Sequence, residues 1–244
     1  MDLYWRDNPT CNGEWFKYQC GKLDNDPVAI ARELERDPSA SIKGRVWPNL
    51  DDKKHFISLA EANKRWDGMQ RKNGWVIHIG SDNGGFRNKS SQNYSLIHVH
   101  VPTSTVFIED TFFIDNTSVP GDVMNWALKM NFDLATGTIY GDQAIKANHT
   151  FNHHSTAYLL RQEGFHVIEV ANRDIAVIHR DVRKRIDNGE FFANSGSERL
   201  TDSLKLYRYE EDGSVNKKDA DGGDAISYFF RCFFHSSTLK VHKY

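Results

Sequence analysis

At 244 residues the chain can bury a full core, as one large domain or as a domain with an appendage. Hydrophobic residues at 39% and aromatics at 12% exclude a disordered chain, and a net charge of −2 excludes a global basic field, so any nucleic-acid contact must come from local patches. Cys11, Cys20 and Cys232 stand in no metal-binding spacing, no apolar run reaches ~18 residues and the polar N-terminus is no signal peptide, so the expected setting is a reducing cytoplasm without a membrane span.

In chain order, residues 1–72 are polar and irregular, and read as an N-terminal arm or linker that packs on the rest. They hold one clear helix, with Asp26 as N-cap, Pro27 at the first helical position, Ile30 and Leu34 one turn apart, and Asp37-Pro38 as the stop. A second helix is expected over 58–67. From residue 73 to 244 the texture is that of one domain. Apolar runs predict strands at 75–81 (WVIHIGS), 95–101 (SLIHVHV) and 105–114 (TVFIEDTFFI), and their short polar connections favour an antiparallel meander. A helix at 119–130, a strand at 137–141 and a helix at 155–163 closed by Gly164 follow. A strand at 165–170 and a helix at 175–187, with Ile178, Val182 and Ile186 at helical spacing, come next. Helices at 197–208 and 224–235 end the series, and the aromatic run Tyr228, Phe229, Phe230, Phe233 and Phe234 reads as a core helix.

Three antiparallel strands followed by strand–helix alternation imply an α/β fold: a mixed sheet with helices on both faces. The first strand and the strand at 137–141 can then lie side by side and parallel. Three aspartates mark strand or helix ends: Asp82, Asp142 and Asp224. Adjacent parallel strands would bring Asp82 and Asp142 together at their carboxyl ends, where open α/β sheets place their sites. Close carboxylates resist ionisation, and a divalent cation such as Mg²⁺ or Mn²⁺ removes that penalty. Each aspartate also has an ordinary reading. Asp82-Asn83-Gly84-Gly85 suits a turn, Asp142 follows Gly141, and Asp221 with Asp224 makes a capping-box-like pair.

WVIHIGSDNGG, TIYGDQAIKANH with LLRQEGFHVIEV, NRDIAVIHRDVRKRIDNGEFF and DADGGDAISYFFR resemble the acidic motifs and basic helix of one family. It is the nuclease domain of the large terminase subunit of tailed bacteriophages, in the ribonuclease-H-like superfamily. EWF, IARELERD and SIKGRVWP resemble the segment joining that family's motor to its nuclease, so the resemblance covers nearly the whole chain. It implies a ribonuclease-H-like fold and an endonuclease that cuts concatemeric viral DNA during packaging. It also implies two-metal hydrolysis: Asp82 bridges two Mg²⁺ or Mn²⁺ ions, and Asp142 and Asp224 each complete one. Asp221 competes with Asp224 for the third place, and Asp224 is favoured. The implied partners are double-stranded DNA, a packaging ATPase, the small terminase subunit and the portal, in the host cytoplasm and outside the mature virion. The sequence holds no G-x-x-x-x-G-K-[ST] phosphate loop, so ATP hydrolysis would fall to a partner or to the other part of a split or truncated protein.

Arg87 and Lys89 after Asp82, Lys217 and Lys218 before the third motif, and Arg180, Arg183 and Lys184 on the 175–187 helix are the candidate phosphate contacts, although a solvated helix face is the simpler reading of each of the last three. Arg173 and Arg185 belong to the same basic cluster. His149, His153 and His154 lack the partners of a zinc site. Glu109 and Asp110 sit mid-strand, where alternation would turn one of them towards Asp82. Two further functions remain open: another ribonuclease-H-like nuclease, acting on junctions or RNA–DNA hybrids, and a catalytically silent module that docks DNA or a motor.

Overall fold

Strand-forming runs rich in Val, Ile, Phe and Tyr account for the centre of the fold. The computed structural model describes residues 10–22, 44–82, 92–114, 120–142, 154–169, 175–209 and 221–234, with positions 5, 8, 34, 145 and 215. The strands are β1 (Phe56–Ile57), β2 (Trp75–Asp82), β3 (Gln92–His100), β4 (Thr105–Ile114), β5 (Thr138–Gly141), β6 (His166–Glu169) and β7 (Phe191–Asn194). They form one mixed sheet in the order β1-β7-β4-β3-β2-β5-β6. The pairs β2–β3 and β3–β4 are antiparallel and every other pair is parallel, so β3 alone runs against its neighbours. This is the expected meander followed by parallel strands.

Seven α-helices are described: α1 (Gly13–Lys22), α2 (Leu59–Arg65), α3 (Pro120–Lys129), α4 (Thr156–Gln162), α5 (Ile175–Asp187), α6 (Glu198–Leu206) and α7 (Asp221–Phe233). Their starts follow local chemistry. Asn12 accepts from the backbone N–H groups of Glu14 and Trp15 ahead of α1. Ser58 accepts from Glu61 and Ser155 from Tyr158, each capping its helix. Gly164 closes α4 at a φ of +93°, a conformation glycine adopts without steric cost.

Alternation along the strands splits the core into two layers. On one face Ile97, Val99, Val106, Ile108 and Tyr140 pack against α5, α6 and α7 through Ile178, Val182, Leu200, Leu204, Phe229 and Phe230. On the other, Ile79, Leu96, Ile139 and Val167 pack against α3 and α4 through Val123, Trp126, Ala127, Ala157 and Leu160. The residues before 73 take part in this core. Val46 and Trp47 are buried in the first layer, and β1 extends the sheet beside β7. Ala62 and Met69 cluster with Trp75, Phe107 and Phe192.

Three elements had no counterpart in the sequence reading. β1 has only two residues, β7 is a nearly continuous buried run without alternation, and α1 carries no consistent apolar stripe. The last helix begins at Asp221, not 224, so Asp224 lies in its first turn. The helix expected after Asp26 falls outside the described residues.

The tightest approach to the sheet is at Gly80, where α7 crosses β2. A Cβ there would overlap the Ala225 carbonyl oxygen and crowd Phe229 Cβ. Gly80→Ala is therefore expected to push α7 off the sheet and to cost about 1–3 kcal/mol of stability, read from urea unfolding.

Candidate active site

A parallel pairing of β2 and β5 sets the geometry. Ile79, Gly80 and Ser81 pair with Ile139, Tyr140 and Gly141, so Asp82 and Asp142 follow at the same level on neighbouring strands. Gly80 and Tyr140 both face α7, the latter against Phe229, and the period of two carries Asp82 and Asp142 to that face as well. Helix α7 brings Asp224 over the same point, because Ala225 rests on Gly80. The expected meeting of Asp82 and Asp142 on adjacent parallel strands is what the register gives.

One side chain records the field of all three carboxylates. The Tyr228 phenol, one turn after Asp224, is held well above its usual pKa, first by burial and then by the charges of Asp82, Asp224 and Asp142. The fully buried Tyr94, on the opposite face and hydrogen-bonded to Ser81, is raised by burial and then by Asp142 and Asp82. Asp82 itself is 9% exposed. Asp224 Oδ1 accepts a 2.7 Å hydrogen bond from the Tyr207 hydroxyl. Asp221 opens α7, and its side chain lies outside the described set.

Gly222 and Gly223 bring the start of α7 close to its neighbours. A Cβ at Gly222 would overlap Ser203 Oγ, which accepts from the Gly222 N–H at 3.0 Å; a Cβ at Gly223 would enter the Tyr207 ring. Asn93 is paired directly with Asp82 in the β2–β3 ladder and is fully buried. Neither of its amide atoms has a hydrogen-bond partner among the described residues. Burying an unsatisfied amide costs about 1–3 kcal/mol, so this spot is suited to a polar ligand or water.

Carboxylates and a buried amide are donor types that a hard divalent cation takes, and Asp82, Asp142 and Asp224 lie in one neighbourhood. Among the described residues no group of three or more His, Cys, Asp or Glu is placed to hold a metal ion.

Other candidates divide cleanly. Arg180 and Lys184 are exposed on α5, and Arg183 is half-buried with Nε donating to the His179 carbonyl at 3.3 Å. Arg185 is structural: it donates to the Ser104 carbonyl at 2.8 Å and stacks over Phe234 at 3.7 Å. Arg87, Lys89, Arg173, Lys217, Lys218, His149 and His153 lie outside the described residues. His154 is exposed and stacked on Tyr158. Neither Glu109 nor Asp110 turns towards Asp82. A bulge makes Glu109 the extra residue of β4, so Leu96 pairs with Asp110 and Ile97 with Ile108, and simple alternation fails there. Glu109 pairs with buried His98, and Asp110 accepts from Trp126 Nε1 at 3.3 Å and from the Ser197 hydroxyl at 2.8 Å. Asn93 and Tyr207 were not among the expected site residues, and Tyr228, expected as a core residue, stands beside the carboxylates. Only Tyr228 carried a signal, four residues after Asp224 on the same helix.

No family model matches the chain, and no curated protein matches it. Solved structures do share its fold. The nuclease domain of the P22 large terminase matches at 12% identity with a TM-score of 0.58, over 78% of this chain and 93% of that domain. The large terminase of a thermophilic bacteriophage matches at 14% identity and a TM-score of 0.58, over 79% of this chain. The same thermophilic protein in complex with ADP matches at 12% identity and 0.59, over 94% of this chain. The chain spans 46% and 54% of those two full-length terminase chains. The fold is the one these terminase structures have.

Two buried histidines make stability depend on pH. His78 shares the Asp82 face, packed by Tyr140, Phe229 and Phe233, and burial holds it down at about 4. His179 is likewise held at about 4, by burial and then by Arg183 and Arg231. Their unfolded values lie near 6.5, so between the two values the unfolded chain binds the extra protons. Stability is then complete above pH 6.5 and falls as pH drops towards 4, by roughly 3 kcal/mol per histidine. In urea titrations across that window, His78→Phe is expected to halve the loss.

Proposed function

We propose that this chain is a metal-dependent DNA endonuclease that cuts concatemeric viral DNA during genome packaging. The observation that carries the reading is the convergence of Asp82 and Asp142, in register on adjacent parallel strands, with Asp224 on the helix packed over them. The fold shared with the P22 terminase nuclease domain supports it. Three carboxylates whose charges act on one half-buried phenol repel one another, and Mg²⁺ or Mn²⁺ held by them would relieve that repulsion. Asp82, Asp142 and Asp224 would hold the ions, with Asp221 the rival to Asp224. Two bound ions would supply an activated water and stabilise the leaving oxygen of an in-line displacement at phosphorus. The Tyr228 hydroxyl keeps its proton throughout the working pH range and so remains a donor at the edge of the site.

Duplex DNA would be held by Arg180, Arg183 and Lys184 on α5, by Arg87 and Lys89 after Asp82, and by Lys217 and Lys218 before α7. Each phosphate contact removed lowers the salt dependence of binding by about one unit. The 244 residues hold no phosphate loop, so ATP hydrolysis would fall to a packaging ATPase or to the other part of a split or longer protein, with the small terminase subunit and portal completing the machinery in the host cytoplasm.

Supercoiled plasmid incubated with the purified chain tests the reading. Mg²⁺ or Mn²⁺ is expected to give nicked and linear product, and EDTA none. Asp82→Asn should lose cleavage while keeping its circular dichroism spectrum; cutting at the parent rate would sink the assignment. Faster cutting of branched or RNA–DNA hybrid substrates would favour a resolvase or hybrid nuclease. DNA binding without cleavage in any divalent metal would favour a docking module.

A further inference from the structure

A line of hydrogen bonds ends on Asp224. His179, on α5, is fully buried between two tyrosines. Its Nδ1 lies 2.6 Å from the Tyr209 hydroxyl and its Nε2 3.0 Å from the Tyr207 hydroxyl. The Tyr207 hydroxyl is in turn 2.7 Å from Asp224 Oδ1. Ser227 Oγ, at 3.4 Å from the same hydroxyl, is at the limit of contact.

The chemistry of the groups fixes every proton. A carboxylate only accepts, so Tyr207 donates its single hydroxyl proton to Asp224. Tyr207 must then accept from His179, and Nε2 carries the hydrogen. The buried imidazole is neutral above about pH 4, so Nδ1 is bare and accepts from Tyr209. All three bonds run the same way, from Tyr209 to the carboxylate, and bonds aligned head to tail polarise one another.

The line is braced at each link. The Tyr207 ring is buried against Gly223 and Trp47, and His179 stands edge-on to Trp47. The Tyr209 backbone N–H donates to the Gly44 carbonyl. An aspartate in the first turn of a helix is otherwise able to rotate about two side-chain bonds. A donor clamped on Oδ1 restricts that rotation and so limits the orientations open to the carboxylate.

We infer that Tyr209, His179 and Tyr207 form a positioning relay that orients Asp224 for a divalent cation, an inference that rests on the carboxylate site proposed above. Outer partners of this kind set metal affinity by 10–100-fold in other sites. The relay also ties the site to α5 and to the stretch at residues 44–47, elements remote from the acidic residues in sequence.

Mn²⁺ affinity of the full chain, measured by titration calorimetry without DNA, tests the relay. Tyr207→Phe keeps the ring and removes the proton, and is expected to weaken Mn²⁺ binding by tenfold or more. Tyr209→Phe acts two links away. Without the Tyr209 proton the imidazole is free to take the other tautomer and compete for the proton of Tyr207, so affinity should fall several-fold although Asp224 and Tyr207 are untouched. Should Tyr207→Phe fail to fold, Tyr209→Phe decides alone. The double variant Tyr207→Phe/His179→Phe leaves no orphaned imidazole N–H; it should melt above Tyr207→Phe in EDTA yet regain no affinity. Binding lost in Asp224→Asn but unchanged in folded Tyr207→Phe or Tyr209→Phe overturns the relay and leaves the carboxylate site standing. Binding unchanged in Asp224→Asn overturns both.

Discussion

The missing side chain at Gly80 is the constraint on which the rest depends. Helix α7 lies on β2 with the Ala225 carbonyl where a Cβ would stand, and this contact does three things at once. It closes the first core layer by lowering Phe229 and Phe230 onto Ile97, Val99 and Tyr140. It carries Asp224 to the level of Asp82 and Asp142. It also buries Tyr228 among those charges. Gly222 and Gly223 repeat the device one turn earlier, against Ser203 and Tyr207, so the start of α7 is gripped between β2 and α6. The glycines flanking the third acidic residue are thus packing residues, not spacers.

The site combines polar groups of unlike status. Tyr207 and Tyr94 are buried phenols and Tyr228 a half-buried one, all with ionisation suppressed, and His179 is a buried imidazole kept neutral. Around the carboxylates the protein therefore offers donors and no competing fixed positive charge from these groups. That arrangement holds acids in place without neutralising them, which is what a cation-binding site needs.

Much of this was legible in the sequence, and the reasons for the rest are specific. Long runs with a clear period gave β2, β4 and α5 to within a residue, and the order of elements was enough to put Asp82 beside Asp142. Two elements were silent: Phe56–Ile57 has too few residues to reveal alternation, and Phe191–Asn194, although as long as β5 and β6, is a nearly continuous buried run without alternation. Glu109 and Asp110 misled because one extra residue in β4 breaks the rule that alternate side chains face opposite ways. Asn93, Tyr207 and His179 owe their importance to contacts across the fold, and nothing local distinguishes them from ordinary core residues. Asp224 was singled out by motif, while the hydroxyl that donates to it could be seen only in three dimensions.

The place of α7 in the chain has a kinetic consequence. The helix that covers β2 comes last among the described elements, and β2 is the first long strand, so their contact spans nearly all of the sheet-forming sequence. Contacts of such separation are slow to form, because the entropy of closing the loop is lost before any packing is gained. Until α7 docks, Val76, His78, Ile97 and Val99 face water on a bare sheet, a surface prone to self-association. Asp82, Asp142 and Asp224 are then ordinary solvated aspartates with no shared field. The acidic cluster is thus a late product of folding, and a chain caught short of that step has its sheet but no site.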